Sequence, residues 1–114
     1  MYEVTSGERE VNGKSVDTFK REIYDANILE VEAGTNGYQG GDTGHGSRTY
    51  IRIQDMGGTD IEVRPTHDYT GDEDGVVIAL GGDAELTTII EALQFITKVL
   101  DDQRKEKILC SSGT

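Results

Sequence analysis

Between Gly34 and Gly46 the chain carries six glycines in thirteen positions. Thr35, Asn36, Tyr38, Gln39, Asp42, Thr43 and His45 are interleaved with them, and Ser47 and Arg48 follow. Each glycine loses more conformational freedom on folding than any other residue, so such density implies sharp turns or a ligand that must approach the main chain closely. Successive N–H groups free of side chains can form an anion-binding nest around a phosphate. The segment is neither a P-loop nor a dinucleotide fingerprint, because no Gly-Lys-Ser/Thr follows and the next element reads as a strand. The plain alternative is a flexible connection between strands. Directional hydrogen-bonding groups favour a pocket instead, since a linker would be dominated by Gly and Ser.

Within this segment Asp42 and His45 lie three apart, a spacing open to an acid–base pair or a metal ligand. No second ligand cluster accompanies them, and His67 sits apart in an acidic stretch. No nucleophile or metal-held water is evident in the pattern. Arg21, Arg48, Arg52 and Arg104 are scarce anion donors in an acidic chain, and guanidinium forks suit phosphate. Each could equally serve a surface ion pair; Arg48 is set apart by leaving the glycine segment directly. The run "DEDG" at 72–75, with Asp68 nearby, lacks the spacing and terminal Glu of a calcium loop and reads as solvated. Tyr38 and Tyr69, flanked by polar residues, could stack on a purine ring or be incidental.

These residues sit in a 114-residue chain, the length of one domain, with net charge −11 and 34 % hydrophobic residues. Such an acidic balance argues against nucleic-acid polymers and anionic membranes as partners, and leaves a small phosphorylated ligand open. The modest apolar fraction points to stabilisation by oligomerisation. Cys110 stands alone, so no disulfide framework is expected and a reducing cytoplasm is the natural setting. The N-terminus lacks a hydrophobic signal region, and the longest apolar run, "VVIAL" at 76–80, is too short to cross a bilayer.

The elements that must position the candidate residues are strands first and one helix last, an α+β order with an antiparallel β-sheet of about six strands. Asn12-Gly13 suits a type I′ turn joining two charged strands. "NILEVEA" alternates Leu29, Val31 and Ala33 inward against Glu30 and Glu32 outward. "RTYIRIQD" and "TDIEVR" read as a second hairpin turned at Gly57-Gly58. "PTHDYTGDEDG" reads as a loop and "VVIAL" as a central strand. From Asp83, apolar residues at 86, 89, 90, 93, 96, 97 and 100 follow a helical period, with Arg104, Lys105 and Lys107 at the C-terminal end. Ala92, Phe95 and Val99 widen that stripe beyond what one sheet face needs, so the helix either packs with a broad edge or meets a partner chain. Residues 1–109 are expected to form one ligand-binding domain, with 110–114 an unstructured tail.

With "EIYDANILEVEAGTNGYQGGDTGHGSRTYIRI" and "GGDAELTTIIEAL", the chain resembles the first-described type of phage Thoeris anti-defence sponge over roughly residues 8–100. The resemblance implies a non-enzymatic protein of the infected bacterial cytoplasm. It would bind a cyclic ADP-ribose isomer made by a TIR-domain sensor, sequester it intact and so inhibit host immunity. It further implies homodimers with recessed pockets at the protomer interface, assembly of some members into hexamers as trimers of dimers, and uptake of cyclic oligonucleotides by some. No cofactor or metal is implied. Thr35, Asn36, Gly37, Gly41, Asp42, Thr43, Gly44, His45 and Arg48 stand where the family has them. Arg21 and Arg104 are the expected phosphate arginines, and Tyr69 is the only aromatic between Arg64 and Gly81 to cover a base; Val76 or Val77 is the alternative.

Two other functions remain open on the sequence. A phosphodiesterase or glycohydrolase would destroy such a signal with Asp42 and His45 as the acid–base pair, and would turn it over. A protein-interaction module would dock a host protein through the glycine segment and retain no small molecule.

Overall fold

A computed structural model describes residues 4–42 and 44–112, with side chains as far as Lys105. It is an α+β arrangement of six antiparallel strands and one long helix. Strands β1 (Thr5–Val11), β2 (Lys14–Tyr24), β3 (Ile28–Thr35) and β4 (Thr49–Gly57) form a sheet in the order β1-β2-β3-β4. Strands β5 (Ile61–His67) and β6 (Glu73–Leu80) form a separate two-stranded ribbon, and α1 (Asp83–Ser112) closes the chain.

The β1–β2 turn is made by Asn12 at φ 49° and Gly13 at φ 81°, the two positive angles that a type I′ turn requires. Leu29, Val31 and Ala33 of β3 are fully buried, as their alternation predicts. With Ile23 of β2 they form the core against Ala92, Ile96 and Val99 of α1. The widening positions Ala92, Phe95 and Val99 meet the sheet together with Ile89, Ile96 and Leu100 of the stripe, while Leu86, Ile90 and Leu93 point outward. The apolar arc is wider than one sheet face, so its period alone leaves open which half turns inward.

Three further expectations change. β4 and β5 do not form a hairpin: β4 closes the edge of the first sheet and β5 opens the ribbon. At the junction Gly58 takes φ 71°, and the Asp55 carboxylate accepts from Gly57 N at 2.8 Å and Thr59 N at 3.2 Å. Thr59 Oγ1 donates back to Ile28 O at 3.2 Å, which ties the turn to β3 and sends β5 away from β4. "VVIAL" is therefore no central strand but part of a ribbon with Val76 and Ile78 exposed. The expected loop shrinks to residues 68–72. There the Asp68 carboxylate accepts from Thr70 N and Asp72 N at 2.8 and 3.1 Å, a self-contained turn.

The helix also runs to Ser112, three residues into the expected tail, since no glycine or proline interrupts residues 83–112. Arg104, Lys105 and Lys107 consequently lie before its last turn rather than in it. None of the described helices is long and apolar enough to cross a membrane.

Glu32 is the other departure. It alternates away from the core as expected, yet is only 2 % exposed. The first sheet coils so strongly that β1 approaches β4 across its uncovered face. Arg9 of β1 lies over the ring of Tyr50 of β4 at 5.2 Å. A Cβ on Gly34 would stand 2.7 Å from Thr18 Cγ2 and 2.8 Å from Thr18 Cα, so glycine permits the close crossing of β2 and β3. Inside this curl the Glu32 carboxylate accepts from Arg9, Thr18 and Arg52.

Candidate functional site

The glycine segment leaves β3 at Thr35 and returns at Thr49, and its two ends are zipped together. Asn36 N donates to Arg48 O at 3.2 Å and Arg48 N donates to Asn36 Oδ1 at 2.7 Å. Thr35 Oγ1 lies 3.1 Å from Thr49 Oγ1 and also accepts from Gly37 N at 3.1 Å. The backbone N of Thr35 donates to Gln103 Oε1 at 2.8 Å, while Gln103 Nε2 donates to Asp17 O at 2.9 Å. One amide on α1 thereby ties the end of β3 to β2 at Asp17.

The loop beyond this neck is organised by Arg48 and Asp42. The Arg48 side chain turns back under the loop, and the residue is 7 % exposed. Its Nη1 donates to Gly46 O at 3.0 Å and Ser47 O at 3.2 Å, and its Nη2 to Gly44 O at 3.1 Å. Arg48 thus acts as a brace for three carbonyls. Asp42 takes up the amides that a phosphate nest would need: Gly44 N donates to Oδ1 at 3.0 Å, and His45 N and Gly46 N donate to its carbonyl at 3.1 and 2.5 Å. The Gly44 amide first and the His45 side chain second hold the Asp42 carboxyl below the usual range.

The glycines follow from this packing. A Cβ on Gly41 would come within 2.8 Å of His45 Cβ, and one on Gly46 within 2.6 Å of both Asp42 O and Gly41 O. Backbone lies against backbone, which only glycine allows.

A cavity of about 140 Å³ opens beside the neck, lined by Thr35, Gly37, Tyr38, Ser47, Thr49, Leu100 and Arg104. Strand β3, the first residues of the glycine segment, the start of β4 and α1 each contribute a wall. The Arg104 guanidinium stands over the Tyr38 ring at 6.0 Å, and its Nη1 donates to the Tyr38 hydroxyl at 3.4 Å. Asp101 accepts from its Nη2. Arg104 remains exposed, so a cation, an aromatic ring and the hydroxyl-bearing residues Thr35, Ser47 and Thr49 line one opening. This is a donor-rich recess suited to a phosphate or ribose with a ring stacked on Tyr38.

Of the residues singled out in the sequence, Thr35, Gly37, Tyr38, Ser47 and Arg104 line the cavity. Asn36 and Arg48 brace its neck, and Gly41, Asp42, Gly44 and His45 build the adjoining loop. Thr43 lies outside the described residues. Arg21 is elsewhere, on the helix-facing side of β2 with its guanidinium 5.9 Å from the Phe95 ring. Tyr69 is fully exposed in the β5–β6 loop and does not line the cavity. His45 Nδ1 and Asp42 Oδ1 stand 3.7 Å apart, both largely in solvent and outside the cavity lining. Thr49, Leu100 and Gln103 went unnoticed as site residues. The i,i+4 spacing of Leu100 and Arg104 places them on one helix face, which was the available signal.

Fold and site together define an α+β protein with a small polar recess where a sheet, a glycine-rich loop and a helix converge. Comparisons with protein-family patterns, curated proteins and solved structures returned no match.

Proposed function

We propose that this chain sequesters a cyclic ADP-ribose isomer without degrading it, as an anti-defence protein acting in the cytoplasm of the infected bacterial host. The observation that carries this reading is the meeting of Tyr38 and Arg104, 66 positions apart, over a recess rimmed by hydroxyls. A guanidinium meets the pyrophosphate, the tyrosine ring takes a base face, and Thr35, Ser47 and Thr49 meet ribose hydroxyls.

The recess is smaller than the roughly 300–1,000 Å³ of sites that enclose a whole ligand. A dinucleotide-sized signal therefore needs a second wall, which a second subunit supplies in a homodimer. Arg21 and Tyr69, remote from the recess of their own chain, are then candidates to serve from another. Assembly into a trimer of dimers and uptake of cyclic oligonucleotides remain extensions of the same reading.

The test loads purified protein with a TIR-produced cyclic ADP-ribose isomer, removes free ligand by filtration, denatures by heat and analyses the filtrate by mass spectrometry. Intact cyclic species at near one per protomer supports sequestration. ADP-ribose or smaller fragments increasing with time would instead support the hydrolase, with Asp42 and His45 as its acid–base pair. No retained ligand sinks both.

A further inference from the structure

Another cavity lies inside the curl of the first sheet. It measures about 130 Å³ and is lined by residues 5–9 of the edge strand β1 together with Lys20 and Glu32. Thr5 stands opposite Lys20 in the ladder and Lys20 opposite Glu32, so these side chains share the face that α1 leaves uncovered. Gly7 adds no side chain to the wall, where a Cβ would stand 3.2 Å from Thr18 Oγ1. None of these residues lines the recess of Tyr38 and Arg104.

The acids of this lining are already engaged. Glu32 accepts from Arg9 Nε and Nη2, Thr18 Oγ1 and Arg52 Nε and Nη2, which fills the about four lone-pair positions a carboxylate offers. Glu8 alternates to the opposite face, beside Asp17, and accepts there from Ser15 Oγ at 2.5 Å. No carboxylate oxygen of the lining is left to hold a cation in the cavity.

Donors, in contrast, are left over. Lys20 is half-buried yet has no ion pair or hydrogen bond among the described residues, in a chain whose 22 acids outnumber its 11 lysines and arginines. Its neighbours on the same face bond elsewhere, Glu22 with the Tyr24 hydroxyl at 2.5 Å and Glu32 with the arginines. Arg9 uses Nε and Nη2 for Glu32 and keeps Nη1. The two-residue turn at Asn12-Gly13 makes Val11 and Lys14 a hydrogen-bonded pair, so alternation along the ladder directs the amides of Ser6 and Glu8 off the edge of the sheet. A partly buried ammonium without a counter-charge is costly, and an anion relieves that cost.

The geometry points to a binding site for a phosphoryl group in this cavity, with the Lys20 ammonium and Arg9 Nη1 as its cations and the amides of Ser6 and Glu8 as neutral donors. Two cations and two amides match the near-double charge and three oxygens of a phosphoryl group, where a carboxylate would bring one charge and two oxygens. The volume falls short of the roughly 300 Å³ at which pockets enclose a whole small molecule, so the cavity takes one tetrahedral anion. That anion is free phosphate or the phosphate end of a molecule whose remainder stays outside. Bound there, it joins β1 to β2 inside the curl and needs no ligand in the recess of Tyr38 and Arg104.

The test titrates ¹⁵N-labelled full-length protein with sodium phosphate at neutral pH, against sodium chloride at matched ionic strength. The amides of Ser6, Gly7 and Glu8 should shift saturably with phosphate and not with chloride. Lys20→Met, which keeps the aliphatic stem, should weaken that binding at least ~10-fold while circular dichroism and the urea midpoint stay unchanged, and Lys20→Arg should restore most of it. Adenosine 5′-monophosphate distinguishes the sources. Matching shifts at similar concentrations assign the cavity to the phosphate end of a larger molecule, and a response to inorganic phosphate alone assigns it to the free ion. Shifts that chloride reproduces, binding that survives Lys20→Met unaltered, a response confined to the glycine segment, or no response at all overturns the inference.

Discussion

The Arg9 guanidinium grips the Glu32 carboxylate as a fork, Nε to Oε2 at 2.9 Å and Nη2 to Oε1 at 2.7 Å, joining the edge strand β1 to the interior of β3. Arg52 of β4 reaches the same carboxylate and also Glu30, at 2.6 Å. The pair closes the curled sheet over a face that α1 leaves uncovered.

That closure should be sensitive to acid. The Arg9 hydrogen bonds, against the opposing effect of burial and with help from Thr18 and Arg52, lower the Glu32 carboxyl to about 2. A carboxyl depressed in the folded state contributes stability above its unfolded value of 4.5, and loses it as pH falls towards 2. Urea unfolding at pH 7, 4 and 2.5 should show the loss, amounting to about 3 kcal/mol for this group. Glu32→Gln should be destabilised by about 3 kcal/mol at pH 7 and show a flatter profile over that acidic range. Equal slopes in the two proteins would count against it.

Gly34→Ala should destabilise the fold by more than 2 kcal/mol, because the added methyl enters the backbone of β2. Gly40→Ala has open space around it and meets only the cost of φ 79°, so it should lose about 1 kcal/mol. Thermal unfolding of the two variants side by side checks the order.

Arg48→Lys keeps the charge but not the fork that holds three carbonyls. Amide exchange at Gly44 and Gly46 should rise at least tenfold, with the core amides of β3 unchanged. Protection that stays the same would show that Arg48 does not brace the loop.

Arg104→Ala and Tyr38→Ala should each weaken retention of the cyclic nucleotide by about 10-fold or more, without altering the unfolding free energy by more than ~1 kcal/mol. Retention measured by filtration alongside chemical denaturation separates binding from folding. Normal retention in both variants would move the ligand away from this recess.

Much of this was legible along the chain. Asn12-Gly13 announced its turn through two residues that accept positive φ, and the alternation around Leu29, Val31 and Ala33 identified the core strand. The glycine segment announced sharp turns by its density, and Gly37 and Gly40 take φ of 77° and 79°, but it did not announce that Gly41 and Gly46 lie against the loop's own backbone. Of its interleaved side chains Arg48 turned inward beneath the loop, and Asp42, though largely in solvent, bound the loop's own amide. Arg21 and Tyr69 illustrate the limit, since spacing records residue type but not which side of a sheet or which loop tip will face a cavity.

Period and turn chemistry are local, so the sequence by itself determined the elements, the N-terminal hairpin and the class of fold. The tertiary structure alone decided that Glu32 is buried, that "VVIAL" lies in an exposed ribbon and that Tyr38 meets Arg104. Each depends on the coil of the sheet, the turn held by Asp55 and the rotation of α1, where contacts between residues distant in sequence outweigh local preference.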